Sequence, residues 1–223
     1  MRPFVERTEE RLGIDVVRIS ELSTAYSFIV DRQPVIAIPA TASWFRENWS
    51  IALELGHLVL DHHANPETHD SDEQAAHGFA AELLLAAATM RSLDWRDITP
   101  GELATRVWSF GVSTEALANR LESLGIESPV VRHWSNYTTQ RLLRHHWEPS
   151  EAGDPITTRM DAAAVRRFPV ALQTAHLNRI AQGKADKGIL AWMLGVAGDT
   201  LEVEEPTLRS EVPTSDLLDA LGI

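Results

Sequence analysis

The chain has 223 residues, of which 44% are hydrophobic and 23% charged, enough apolar mass for a sizeable core and a balance that excludes wholesale disorder. Cysteine is absent, which removes disulfide scaffolds, cysteine-ligated zinc and thiol catalysis together and suits a reducing compartment. The net charge of −12 is uneven, −10 over residues 1–129, +4 over 130–198 and −6 over 199–223, and so acidic a first half disfavours broad binding to phosphate backbones.

In chain order, a helix is predicted near 3–12, then strands near 15–18, 26–30 and 34–38, the last two flanking Asp31-Arg32-Gln33 as a hairpin. The opening MRPFVERTEE has no apolar run of the kind a signal peptide needs. The longest apolar stretch, 75–90, is too short to span a bilayer and carries His77 and Glu82, so a soluble cytoplasmic protein without a membrane partner is expected. From about residue 42 the pattern is helical almost throughout. Ser71 with Gln74 and Thr99 with Glu102 both fit the capping-box spacing, Pro100 stands at the tolerated first helical position, and Gly125 closes a helix that begins near Ser113. Two turn-rich breaks, GIESP at 125–129 and WEPSEAGDP at 147–155, divide the remainder of the chain. The seven tryptophans share no period and are expected to anchor the core and the helix contacts. Over the acidic tail both a short helix near 215–221 and a mobile segment are compatible with the pattern.

The chemistry-bearing segment is WSIALELGHLVLDH at 49–62, on a predicted helix, with DEQAAHGFAAELL at 72–84 on a second helix one loop later. A zinc hydrolase needs two histidines one helical turn apart, a glutamate beside the first to polarise the metal-bound water, and a third ligand from a neighbouring helix. Glu54 and His57 stand at the right relative spacing and Glu73 is well placed on the second helix, but the position one turn before His57 is Leu53. His77, four residues after Glu73, shares its helix face. Two readings of His77 stay open, a ligand in a rearranged His57–Glu73–His77 site or a residue that only packs on or hydrogen-bonds the ligand helix. His62 and His63 are read as surface or helix-end residues and His69 as solvated, and His133, His145, His146 and His176 show no metal spacing.

Three stretches together resemble the ImmA/IrrE family of zinc metallopeptidases: WSIALELGHL at 49–58, where that family has an H-E-L-G-H core, EQAAHGFAAELL at 73–84, and GVSTEALANRLESLG at 111–125, similar to the helix-turn-helix-like element after the peptidase core. The resemblance covers roughly 3–125 and implies an α+β, mainly α fold: a small N-terminal β-sheet with a zincin-like helix pair, then the helix-turn-helix-like element and a helical C-terminal region. The boundaries expected are 1–93, 94–128 and 129–223. Carried over, Glu54 matches the catalytic glutamate, His57 the second histidine ligand and Glu73 the third ligand, while Leu53 takes the place of the first histidine and His77 that of an Asn or Asp. The helix near 113–124 carries Glu115 and Glu122 against Arg120, and base reading is not expected of it. Leu117 and Leu121 give it a face to pack on the core instead.

The activity the resemblance implies is that of a zinc endopeptidase whose substrate is a helix-turn-helix repressor, cleaved to relieve repression, with no direct nucleic-acid binding by this chain. Leucine has no lone pair to offer a metal, so the alternative is a pseudopeptidase that keeps the fold and regulates by binding a protein.

Overall fold

The computed structural model describes residues 3–64, 70–149 and 153–203. The chain divides into two compact units, Met1–Arg167 and Phe168–Ile223. The fold is α+β and mainly helical, with one small sheet near the start of the first unit.

The first unit opens with α1 (Phe4–Leu12), ended by Gly13 in the left-handed conformation at φ 65°. Three strands come next, β1 (Asp15–Ile19), β2 (Tyr26–Val30) and β3 (Gln33–Pro39), in the order β1-β3-β2, with β1 parallel and β2 antiparallel to β3. Asp31 and Arg32 form a two-residue hairpin loop at φ 47° and 73°, the pair of positive values whose twist matches that of the flanking strands. The strands lie within two residues of their predicted bounds, because alternation and the hairpin signal act locally.

α2 (Trp44–Val59) is capped by Ser43, whose side chain accepts from the backbone N–H of Arg46. Its Ile51 and Leu55 close a core with Val5, Val16, Ile36 and Ile38, where each fully buried isoleucine contributes about 1.5–3 kcal/mol. α3 (Asp70–Leu84) lies against α2, Gly56 meeting Ala76 so closely that a Cβ at 56 would stand 3.0 Å from the Ala76 Cα. Ser71 is inside α3 rather than capping it. Asp70, Asp72 and Glu73 all fall in the first turn, where the helix dipole favours negative charge.

α4 (Ala87–Ser92), α5 (Pro100–Phe110), α6 (Thr114–Ser123), α7 (Pro129–Trp134), α8 (Thr139–His146) and α9 (Pro155–Ala164) complete this unit. Thr99 and Glu102 form the expected capping box on α5, and Gly125, at φ 67°, stands just past the end of α6. Leu103, Val107, Leu117, Leu121, Leu142 and Leu143 make a second core from α5, α6 and α8. Leu117 and Leu121 are thereby buried, and the Arg120 guanidinium is taken up by Glu82 and the Leu85 carbonyl. After α9 the chain returns to β1: Arg18 and Arg167 exchange backbone hydrogen bonds of 2.8 and 3.0 Å.

Asp154 caps α9, its carboxylate accepting from the side chain and backbone N–H of Thr157 with Arg144 beside it, and these bonds hold its pKa at about 2 against an ordinary 3.8. A lowered folded value means that the stabilisation is complete above about pH 4 and disappears as pH falls through 2. Thermal unfolding of Asp154→Ala should therefore show a deficit against the parent chain at pH 6 that narrows steadily below pH 4. A deficit independent of pH would assign the cap no charge dependence.

The second unit holds α10 (Val170–Ala181) and α11 (Lys187–Leu194), with Ile180, Leu190 and Ala191 buried and Phe168 against Trp192 at 5.3 Å between ring centroids. Trp192 is nevertheless 43% exposed, unlike the buried Trp44 and Trp95, so the anchor role expected of the tryptophans does not extend evenly to it. Among the described residues no helix is long and apolar enough to cross a membrane. The segment 215–221 and His69 lie outside the described residues.

Candidate functional site

α2 presents Glu54 and His57 one turn apart, and α3 brings Glu73 toward them from the facing helix. Gly56 eases the apposition, since a Cβ there would stand 3.0 Å from the Ala76 Cα and the helices would have to give by a few tenths of an ångström. His57 Nε2 lies 3.5 Å from Glu73 Oε1. Glu54 is buried, and its Oε2 accepts a 2.6 Å hydrogen bond from the Ser27 hydroxyl on β2.

Two histidines that the sequence places only at a helix end complete this neighbourhood. Past α2, Asp61 takes a left-handed conformation at φ 56°, which aspartate tolerates better than most residues, and the chain turns into a short 3-10 segment, His62–Ala64. His62 Nδ1 then stands 3.0 Å from His57 Nδ1, and His63 Nε2 stands 3.1 Å from the Ser27 hydroxyl oxygen. His62 is not a solvent-facing residue: its side chain is 14% exposed and its Nε2 lies 4.0 Å from Asp72.

These contacts fix a proton order. Ser27 donates to Glu54, so His63 donates to the Ser27 oxygen. Between His57 and His62 a single proton can be shared, one Nδ1–H donating to the other Nδ1, so the two rings cannot both be protonated there without breaking the bond. An acceptor on His57 Nδ1 is what a metal-binding histidine uses to present Nε2.

Leu53 is half-buried on α2 one turn before His57. His77 is exposed and lies beside Trp49, with ring centroids 6.4 Å apart. His57 and Glu73 are thus brought together, Glu54 is turned toward Ser27, and His77 is placed against an indole. Among the described residues no three His, Asp or Glu side chains group closely enough to hold an ion. A catalytic zinc takes three protein ligands, and Leu53, a hydrocarbon, supplies none, so the side chains as they are grouped here do not fit that ion. Ser27, His62 and His63 could not be found from motif spacing, because each reaches the site through a strand edge or a turn.

The peptidase-family model of the IrrE N-terminal-like domain matches residues 9–122, just over half of the chain. None of the curated proteins matches it.

Proposed function

The chain belongs to the peptidase family of the IrrE N-terminal-like domain, and from that premise we propose that it engages an extended polypeptide beside Glu54 as a catalytically impaired member, with a helix-turn-helix repressor as the partner class. The observation that carries this reading is Leu53: one turn before His57, on the helix that supplies both other chemical groups, the ligand position is a hydrocarbon.

The polypeptide has a surface to meet. β2 is an edge strand of the sheet, so its outer backbone donors and acceptors have no partner strand among the described residues. Tyr26, Phe28, Ile29 and Val30 are all exposed along it. An extended chain that adds to such an edge satisfies the backbone groups and covers the apolar side chains. It would pass Ser27, and through Ser27 the buried Glu54. Here Glu54 and Ser27 position the partner, and no bond-breaking step is assigned to them.

A second reading is supported by what is kept. His57 faces Glu73 at 3.5 Å, and His77 stands one turn along α3 from Glu73, so a rotation of the His77 side chain away from Trp49 is what a substitute third ligand would require. Zinc stoichiometry on chelator-treated protein separates the two. The chain as it stands should take up well under one zinc, and Leu53→His should take up about one per chain, lost again when His57→Ala is added. About one zinc in the unaltered chain, abolished by His77→Ala, would overturn the impaired reading and favour the endopeptidase, which cleavage of a repressor lost on Glu54→Gln would then test.

A further inference from the structure

α7 and α8 carry a run of charge unlike the rest of the chain. Residues 128–147 hold three arginines and three histidines and no aspartate or glutamate, in a chain of net charge −12. Val131, Leu142 and Leu143 are buried beneath these helices, while Arg132, His133, Tyr137, Arg141 and His146 are exposed. Arg144 is engaged by Asp154 and Thr157. Arg141 has no carboxylate within ion-pair distance among the described residues, and its guanidinium lies 4.6 Å from the Tyr137 ring centroid.

The rings around Arg141 form one cluster. Between centroids, Trp134 lies 5.6 Å from Tyr137, 5.6 Å from His133 and 5.1 Å from His146, and His133 lies 5.2 Å from Tyr137. The Trp134–His146 contact ties the end of α7 to the end of α8. Side chains held this way lose less rotamer freedom when a partner arrives. The polar groups they present are chiefly donors: a guanidinium, an indole N–H, a phenol O–H and an N–H on each imidazole, none with an acceptor among the described residues. Tryptophan, tyrosine and arginine are also the residues in which the energetic centres of protein interfaces are enriched.

A donor-rich cationic face is complementary to carboxylates or to phosphates, and the surroundings favour carboxylates. Nucleic-acid strands bind such faces by stacking bases on open rings. Here the rings are engaged with one another, Trp134 at 85° to His133 and 78° to His146, and Tyr137 carries Arg141. A phosphate backbone running on past His146 also meets Glu102 and Glu148, which share a hollow with it, and residues 1–129 carry −10. A short acidic peptide segment ends before it reaches those charges.

We propose that the α7–α8 face docks a short acidic segment of a partner polypeptide, one carboxylate set against the Arg141 guanidinium and others accepting from His133 and His146. The surface involves neither Glu54 nor the β2 edge, so it is tested independently of the function proposed above.

Fluorescence anisotropy tests this with the full chain titrated into a labelled hexapeptide of alternating Asp and Glu, beside its Asn and Gln counterpart and a labelled oligothymidylate. The acidic peptide should bind with Kd below about 1 mM at low salt, and its amide counterpart about tenfold more weakly or worse. Arg141→Gln should weaken the acidic peptide by about two- to fivefold, and Arg141→Glu, which reverses the charge, by about tenfold or more. Arg11→Glu, the same change at an exposed position on α1, should alter binding by less than about twofold. Circular dichroism checks that the variants fold, and if Arg141→Glu does not, Arg141→Gln carries the test. The proposal is overturned if the acidic peptide does not bind, if the amide counterpart binds as tightly, or if the folded Arg141 variants bind like the parent chain. It is equally overturned if Arg11→Glu weakens binding as much, which would leave only net charge, or if the oligothymidylate binds more tightly than the peptide, which would make this a nucleic-acid surface.

Discussion

Replacing Glu47 by alanine should lower the stability of the chain by about 3–5 kcal/mol, measured as a fall in the urea midpoint. Glu47 Oε1 receives a 2.7 Å hydrogen bond from Arg18, and the two side chains are 8% and 7% exposed. Arg18 also donates to the Ala162 carbonyl at 2.6 Å and to that of Val165 at 3.3 Å, so one guanidinium ties β1 to α2 and to the chain leaving α9. Alanine at 47 would leave that cation buried with carbonyls alone for compensation, and a buried charge without its counter-charge is far costlier than the pair itself is beneficial. The double substitution Arg18→Met, Glu47→Leu removes both charges and keeps apolar volume, so it should recover a large part of the loss despite forfeiting the two carbonyl contacts. If Glu47→Ala unfolds within about 0.5 kcal/mol of the parent, the pair is hydrated in solution and the junction is not held by its charges.

The same junction shows what can and cannot be read along a sequence. The helix at Phe4–Leu12 and the three strands are set by alternation, Gly13 and a two-residue turn, all signals within a few residues. The Thr99–Glu102 box and the Leu117–Leu121 stripe are equally local, and the structure has both. Glu54 and His57 are legible because a helix fixes which residues share a face. Ser27 is not, since nothing distinguishes it from any polar residue on a strand until β2 brings it to Glu54. His62 and His63 depend on a left-handed Asp61, a conformation that aspartate permits without announcing. Arg18 and Glu47, 29 residues apart, look like two surface charges until the sheet and α2 enclose them. Local grammar therefore locates the elements and the central motif, while partners supplied across space need the packed chain.

Gly56→Val is where fold and site meet most directly. A Cβ at 56 would lie 3.0 Å from the Ala76 Cα, 3.1 Å from its carbonyl oxygen and 3.3 Å from its Cβ, and two of those three atoms are backbone. Alanine there gains about 1 kcal/mol of helix propensity over glycine, which offsets much of a crowding that a shift of a few tenths of an ångström relieves, so Gly56→Ala should be close to neutral. Valine adds two methyl groups to the same contact and a stiffer side chain, and overpacking of this kind costs about 1–3 kcal/mol. The strain has one direction of release, the separation of α2 from α3. His57 directly follows Gly56 and Glu73 stands one turn before Ala76, so a separation that restores van der Waals distance also opens the 3.5 Å His57–Glu73 approach. In the Leu53→His background, Gly56→Val should therefore reduce zinc affinity by about ten- to a hundredfold as well as lower the unfolding temperature. Val59→Ala, at a position 63% exposed on the same helix, should change neither. A Gly56→Val chain that loses stability but keeps full zinc affinity would mean that the two helices yield elsewhere along their contact, and that the glycine serves packing alone.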